Sequence, residues 1–441
     1  LTDARTVRLK DSSLIPIPAD GAGLQSMLAN SLAALFPAHS TLVTRAHGQT
    51  TSNSRAYAQY VQGEGALNNR NYDEGVSYFQ KAVDLDPAFA LARAKLALAH
   101  VRSYLQTKYP VSLAKADAEA HRAAEAGITP DVLLVQALIR DATGDTSGAI
   151  ALFRDYQRAE PDDVEAYGLL ADTLNKAGRP QEAEEAFLSA IRMRPGYWPT
   201  YQRLGVFYFG RHQFDKAADR FLTGIGIAPD VPSLHYNLGA VYFSQDRWHE
   251  AGIEFEKSLA IRPTALAYSN LGTVRFYEGK YREASQQFEQ ATKLQPNNAF
   301  NWGNLGDALW QLPNERDRAR KAFAQAAVLA SEQLGLNGAD ADLRRSYAVS
   351  LVKLGRAPEA FAQIERVRQQ HPADASVEFY TGRVYACAGN RSEALKALKS
   401  AVALGYSVGE IAREPDFAAL RSDPVFQQLI GKHPNKDTNK E

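Results

Sequence analysis

The chain has 441 residues, and its 50 Lys+Arg balance 50 Asp+Glu for a formal net charge of zero. It holds no Lys/Arg run of the kind that tracks phosphates, which removes the electrostatic footprint of a DNA- or RNA-binding protein, and its longest apolar stretches, such as residues 91–101, fall short of the roughly 20 apolar residues of a bilayer span. The single cysteine, Cys387, excludes an internal disulfide and a zinc site built on cysteines, while leaving the redox compartment open.

The chain opens on Leu1 and its first residues lack the basic, apolar, small-residue order of a secretory signal, which points to a segment of a longer protein. Val7, Leu9, Ile15 and Ile17 alternate with polar or small residues and predict extended backbone. After Gly21-Ala22-Gly23 an amphipathic helix is predicted over residues 24–36. Residues 1–55 are too few to build a core of their own.

From residue 56 a period takes over. Pro161, Pro195, Pro229 and Pro263 stand 34 residues apart, and Pro296 follows 33 later. Length alone suggests about three domains, but a fixed period implies stacked units sharing one continuous core. Aligned on these prolines, 164–197, 198–231, 232–264 and 265–297 carry the same residue types in register. Leu170-Ala171, Leu204-Gly205, Leu238-Gly239 and Leu271-Gly272 share one slot, continued by Leu305-Gly306. Alanine follows at Ala183, Ala217, Ala251 and Ala284, phenylalanine at Phe187, Phe221, Phe255 and Phe288, and a small residue at Ala190, Gly224, Ser258 and Ala291. Spacings of four and three put these three on one helical face.

Glycine within a helix costs about 1 kcal/mol relative to alanine, so its recurrence implies a compensating contact, with helix axes about 8–10 Å apart and the phenylalanines filling the space beside it. Gly178 and Gly279 suit a left-handed turn between the two helices of a unit. The prolines end each second helix.

Weaker units extend the array. Residues 56–89 carry Gly63, Gly75, Phe79, Ala82 and Pro87, and 131–163 carry Gly144, Ala149, Phe153 and Pro161. Between them, 90–130 reads as a longer repeat with an insertion at Tyr109-Pro110. Downstream, 298–339 has Ala319, Phe323 and Ala326 shifted by one and no closing proline, so its second helix is expected to run on through Leu334. Segments 340–374 and 375–406 complete about ten repeats, residues 407–431 form an apolar cap, and 432–441 a solvated tail.

Trp302-Gly303-Asn304-Leu305-Gly306 and Tyr201-Gln202-Arg203-Leu204-Gly205-Val206-Phe207-Tyr208, with the alanine, phenylalanine and proline slots above, resemble the tetratricopeptide repeat (TPR). The resemblance implies an all-α, right-handed superhelical solenoid of about ten helix-turn-helix repeats, with a short α/β N-terminal segment and a C-terminal capping helix. Leu24-Gln25-Ser26-Met27-Leu28, followed by Thr51 to Gly63, also resembles the junction between a TolB-like domain and a repeat array. Such junctions occur in bacterial membrane Ser/Thr kinases and winged-helix regulators, although this chain carries neither a kinase nor a DNA-binding motif.

In TPR proteins the first helix of each unit lines the concave face. Asn237, Asn270 and Asn304 each precede a Leu-Gly there, 33 and 34 residues apart. An amide offers a donor and an acceptor, so the row could pair with the backbone of an extended peptide. It resembles the ladder in the TPR superhelix of O-linked N-acetylglucosamine transferases, but covers three repeats only: Leu169 and Arg203 take the slot upstream, Ser346 and Tyr380 downstream. Six residues on stand Phe243, Phe276 and Trp310, with Phe209 one repeat earlier; Val206, Ala240, Thr273 and Asp307 lie between the rows. The competing reading has the asparagines bonding neighbouring helices and the aromatics packing between repeats.

No phosphate-binding, dinucleotide or nucleophile-elbow motif occurs. His249-Glu250 begins a zincin-like string, but Ile253 stands where the second histidine is required. Cys387, in Ala386-Cys387-Ala388, suits a buried inert thiol. The sequence therefore predicts a non-catalytic scaffold without cofactor or metal, binding a protein or peptide at Asn237, Asn270, Asn304, Phe209, Phe243, Phe276, Trp310, Thr273 and Asp307. The alternatives are the sensory segment of a transmembrane kinase or regulator, on either side of the membrane, and the accessory domain of a glycosyltransferase.

Overall fold

The computed structural model describes residues 6–8, 14–16 and 51–431. Strand β1 (Thr6–Arg8) pairs antiparallel with β2 (Leu14–Pro16), Val7 opposite Ile15. The helix predicted over 24–36 and the tail 432–441 lie outside the described residues.

The remainder is α-helical and runs as consecutive antiparallel pairs, in two compact units divided after Arg203. The first unit holds α1 (Ser54–Asn68) and α2 (Tyr72–Leu85), α3 (Ala90–Thr107) and α4 (Pro110–Glu125), α5 (Pro130–Ala142) and α6 (Thr146–Ala159), then α7 (Val164–Lys176) and α8 (Pro180–Met193). The division falls within α9 (Trp198–Gly210), which pairs in sequence with α10 (Phe214–Ile227). The second unit continues with α11 (Pro232–Ser244) and α12 (Trp248–Ile261), α13 (Ala265–Tyr277) and α14 (Tyr281–Leu294), α15 (Ala299–Trp310) and α16 (Arg316–Leu336). It ends with α17 (Ala341–Lys353) and α18 (Ala357–Gln370), α19 (Ala375–Cys387) and α20 (Arg391–Ala403), followed by α21 (Val408–Arg413), a 3-10 turn (Pro415–Leu420) and α22 (Pro424–Ile430). This is the all-α repeat architecture expected from the period.

The glycine slot has a more direct cause than close helix axes alone. A Cβ built on Gly205 would meet the Phe221 ring at 2.5 Å, on Gly239 the Phe255 ring at 2.8 Å, on Gly272 the Phe288 ring at 2.7 Å and on Gly306 the Phe323 ring at 2.7 Å. The glycine of each first helix is thus the seat of the phenylalanine from its own second helix, and those rings are all but fully buried. Truncating one such ring costs about 3–5 kcal/mol.

The second helices α8, α10 and α12 each stop two residues before Pro195, Pro229 and Pro263, as a proline that cannot join the preceding turn requires. Gly178 and Gly279 take φ of +72° and +77° in the turn between paired helices, whereas His212 and Asp246 occupy that turn at +56° and +57°.

Two features bear on the irregular repeats. Around Tyr109-Pro110 the extra length of the second repeat lies in its helices, α3 of 18 residues and α4 of 16, with Lys108 closing α3 in the left-handed conformation and Pro110 starting α4 at its first turn. In the eighth pair α16 extends to Leu336, since no proline interrupts it. The C-terminal segment buries Ile411, Phe417, Leu420 and Phe426 against Phe379, Leu395 and Leu398, closing the last pair's open face.

Candidate peptide-binding groove

Asn237, Asn270 and Asn304 sit mid-way along α11, α13 and α15, each one residue before a buried leucine, so the amide points off the core face and is half-buried. Asn270 Nδ2 donates to Tyr236 Oη at 2.8 Å. Asn237 and Asn304 make no side-chain hydrogen bond within the described residues. The row is therefore not consumed by the scaffold at two of its three positions.

Phe209, Ala240, Phe243, Ser244, Phe255, Asn270 and Thr273 line one cavity of about 210 Å³. Its hydroxyls are already turned inward, Ser244 Oγ donating to the Ala240 carbonyl and Thr273 Oγ1 to the Ser269 carbonyl, each at 3.0 Å. What remains is an apolar recess edged by one amide, with Val206 on the same helix as Phe209 at 51% exposure.

Further along, the chain covers its own surface. Phe243, Thr273, Phe276, Asn304 and Asp307 line a second cavity, of about 220 Å³, whose other wall is Phe379, Tyr380, Arg383, Tyr406, Glu410 and Glu414. The C-terminal segment reaches this place through Ser407, whose hydroxyl donates to Asp246, and Arg413, whose guanidinium lies 3.8 Å from the Trp248 ring centre. Tyr406 stacks on Phe379 with centroids 4.3 Å apart.

Three expected ligand contacts are engaged by the repeats themselves. Phe276 is buried in the core with Phe288, Leu305 and Phe323. Trp310 lies under the Arg316 guanidinium, 3.9 Å from its ring centre, and packs edge-on to Phe323. Asp307 accepts from Arg383 Nη2 at 2.9 Å. Arg383 also donates to Asp416, by Nε at 3.0 Å and Nη2 at 2.8 Å, and Lys353 donates to the same carboxylate.

The charges respond to this setting. Burial works against an ionised Asp416, yet Lys353 and Arg383 hold it well below the usual carboxylate range. Glu414 is almost fully buried, and burial lifts it to about 7 against the pull of Arg383. Burial likewise raises Glu410, which accepts from the Tyr406 hydroxyl at 3.0 Å. The Cys387 thiol is pushed up to about 12, chiefly by burial and by Asp416. Sequence reasoning missed Lys353, Arg383 and Asp416 because the two cations occupy different slots on the first helices α17 and α19, and Asp416 lies in the C-terminal 3-10 turn outside the repeats.

In the first unit, charges on the first helices pair within the unit: Lys95 with Asp131 at 3.0 Å and Glu64 at 3.7 Å, and Arg102 with Glu165 at 2.8 Å. Among the described residues no group of His, Cys, Asp or Glu could hold a metal ion, and no helix is long and apolar enough to cross a membrane.

Family models described as tetratricopeptide repeat match residues 60–104, 134–197, 269–333 and 347–407, with a second such model at 230–297. These matches begin at residue 60, and nothing found supports the likeness to kinase or winged-helix accessory regions. No curated protein matches significantly in sequence. Among solved structures, a thermophilic TPR protein of Thermus thermophilus is 23% identical, with 41% of this chain and 100% of that chain covered and a TM-score of 0.35. Yeast Tom70 is 16% identical over 85% and 98% of the two chains, with a TM-score of 0.42. MamA from Desulfovibrio magneticus is 18% identical over 38% and 95%, with a TM-score of 0.34.

Proposed function

Since the chain belongs to the tetratricopeptide repeat family, we propose that it is a protein-interaction scaffold that takes an extended segment of a partner across α9, α11 and α13 at the recess lined by Phe209, Ala240, Phe243 and Asn270, to which the C-terminal segment contributes no lining residue. The observation that carries this reading is the in-register row of half-buried amides, of which Asn237 makes no side-chain hydrogen bond among the described residues and Asn270 bonds Tyr236 through Nδ2, which leaves its oxygen to accept. A polar residue repeated in mid-helix brings no helix propensity of its own, so a use outside the scaffold accounts for it best.

The geometry suits a backbone ligand. Packed helices lie about 8–10 Å apart and an extended chain advances about 3.3 Å per residue, so one amide meets every third residue of the partner. Each amide can accept from an N–H and donate to a carbonyl. The recess between Phe209 and Phe243 then takes an apolar side chain, and Asn237 and Asn270 anchor the main chain to either side. Asn304 faces the covered cavity and is the end of the row.

The experiment is a selection of displayed peptides on the full chain, followed by affinity measurement with Asn237→Ala, Asn270→Ala and the double variant. Each lost hydrogen bond is worth about 0.5–1.5 kcal/mol, so the double variant, losing one at each asparagine, binds about 5- to 150-fold more weakly, with a melting temperature within a few degrees of the parent. Unchanged affinity together with a large loss of stability assigns the asparagines to the scaffold and ends this reading.

A further inference from the structure

The covered cavity has a composition that the peptide reading does not use. Its wall is aromatic, with rings from Phe243, Phe276, Tyr277, Phe379, Tyr380 and Tyr406, and its polar groups are mainly carboxylates, Asp307, Glu410 and Glu414. The one cation among its lining residues, Arg383, is bonded to Asp307 and Asp416, and Lys353 beside it is bonded to Asp416. Arg383, which also pairs with Glu414 at 3.7 Å and lies 5.6 Å from the Tyr380 ring centre, and Lys353 thus stand among three carboxylates, Asp307, Glu414 and Asp416. Asp307 Oδ1 is buried with no hydrogen-bond partner, although a buried oxygen without one loses its hydration uncompensated.

We propose that this cavity binds a small organic cation of the alkylammonium type, carried by a free amine or by a lysine-like side chain of a bound segment. Aromatic faces attract cations through their quadrupole, more strongly when water is excluded, and Asp307 Oδ1 supplies the acceptor such a cation lacks in an apolar recess. The size fits: about 220 Å³ exceeds the roughly 150 Å³ that admits benzene and falls below the roughly 300 Å³ at which drug-sized pockets begin. A metal is disfavoured because no three suitable ligands converge among the described residues.

Burial raises the wall carboxylates Glu414 and Glu410. Glu414 faces Arg383 and Tyr380 on α19, Lys353 on α17, Asp307 on α15, Tyr277 on α13 and Asp416 in its own segment; burial leaves it near 7. Glu410 faces Tyr406 and Asp246 and is raised as well. A bound cation favours the ionised form of both. Between pH 6 and pH 8 the ionised fraction of a group titrating near 7 rises about tenfold, and affinity rises by about the same factor through linkage.

The test is calorimetry on the full chain with tetramethylammonium chloride, sodium chloride at equal ionic strength, and tert-butanol as the neutral isostere. The expected result is binding of tetramethylammonium alone, about tenfold tighter at pH 8 than at pH 6, with Glu414→Gln removing the pH dependence. If that variant fails to fold, the three wild-type titrations still decide. N-acetyl-lysine-N-methylamide binding more tightly than tetramethylammonium assigns the cation to a side chain of a bound segment; the reverse order assigns it to a free amine. Equal responses to tetramethylammonium and tert-butanol at pH 8, or affinity that falls as pH rises, overturn the proposal. Neither Asn237 nor Asn270 lines this cavity, so failure here leaves the peptide reading standing, and the converse holds.

Discussion

Gly63 and Gly65 lie two residues apart in α1, and replacing each with alanine should move stability in opposite directions. Gly65 is not fully buried and a Cβ there meets nothing within 4 Å, so alanine recovers the helix propensity that glycine forfeits, about 0.8–1 kcal/mol. A Cβ on Gly63 meets three atoms of the Phe79 ring at 2.6, 2.7 and 2.8 Å. That ring cannot swing away, because it is fully buried among Ala56, Ala82 and Phe89 with Tyr60 5.7 Å off between centroids. Overpacking of this kind costs about 1–3 kcal/mol, which offsets the propensity gain and leaves a net loss of up to about 2 kcal/mol. The two variants should differ by about 1–3 kcal/mol, the size of the overpacking term. Repeat arrays can unfold in parts, so the assay is native-state hydrogen exchange on peptides from residues 54–85. Both substitutions stabilising, or both neutral, would refute the claim that the glycine slot exists to seat the ring.

The C-terminal segment should loosen as pH rises. Glu414 is held near 7 against an ordinary 4.5, so its contribution is complete below 4.5 and is lost as pH climbs through 7. Exchange of residues 406–430, corrected for the intrinsic rate, should therefore quicken between pH 5.5 and pH 8, and Glu414→Gln should flatten the profile; slowing over that range would sink the assignment. Cys387, half-buried and with its thiol lifted to about 12, should react slowly with an aromatic disulfide reagent at pH 8 until denaturant is added, and rapid labelling of the native chain would contradict the lifted thiol.

Much of the scaffold was legible in the primary structure because it is local and periodic. The 34-residue period, the proline stops and the leucine, glycine, alanine and phenylalanine slots recur wherever two helices must pack on each other and on the next pair. Even the irregular eighth repeat was readable, since a missing proline lets α16 run on to Leu336. Where the period breaks, spacing says only that residues are added: the extra length around Tyr109-Pro110 is taken up by longer helices, 18 residues in α3 and 16 in α4, which the structure alone shows.

The candidate site divides along the same line. Asn237 and Asn270 stand in register because the repeat places them there. Asp307, Arg383 and Asp416 meet across 76 and 33 residues, a distance no helical period spans, and only the folding of residues 406–416 onto the earlier repeats brings them together. By itself the sequence determined that the chain is a stack of helix pairs with a polar row on its first helices, because those features follow from spacing. Which stretch of that row is free, and which is sealed beneath the chain's own carboxylates and rings, was decided by tertiary structure alone, because burial and charge pairing depend on neighbours that sequence separation does not reveal.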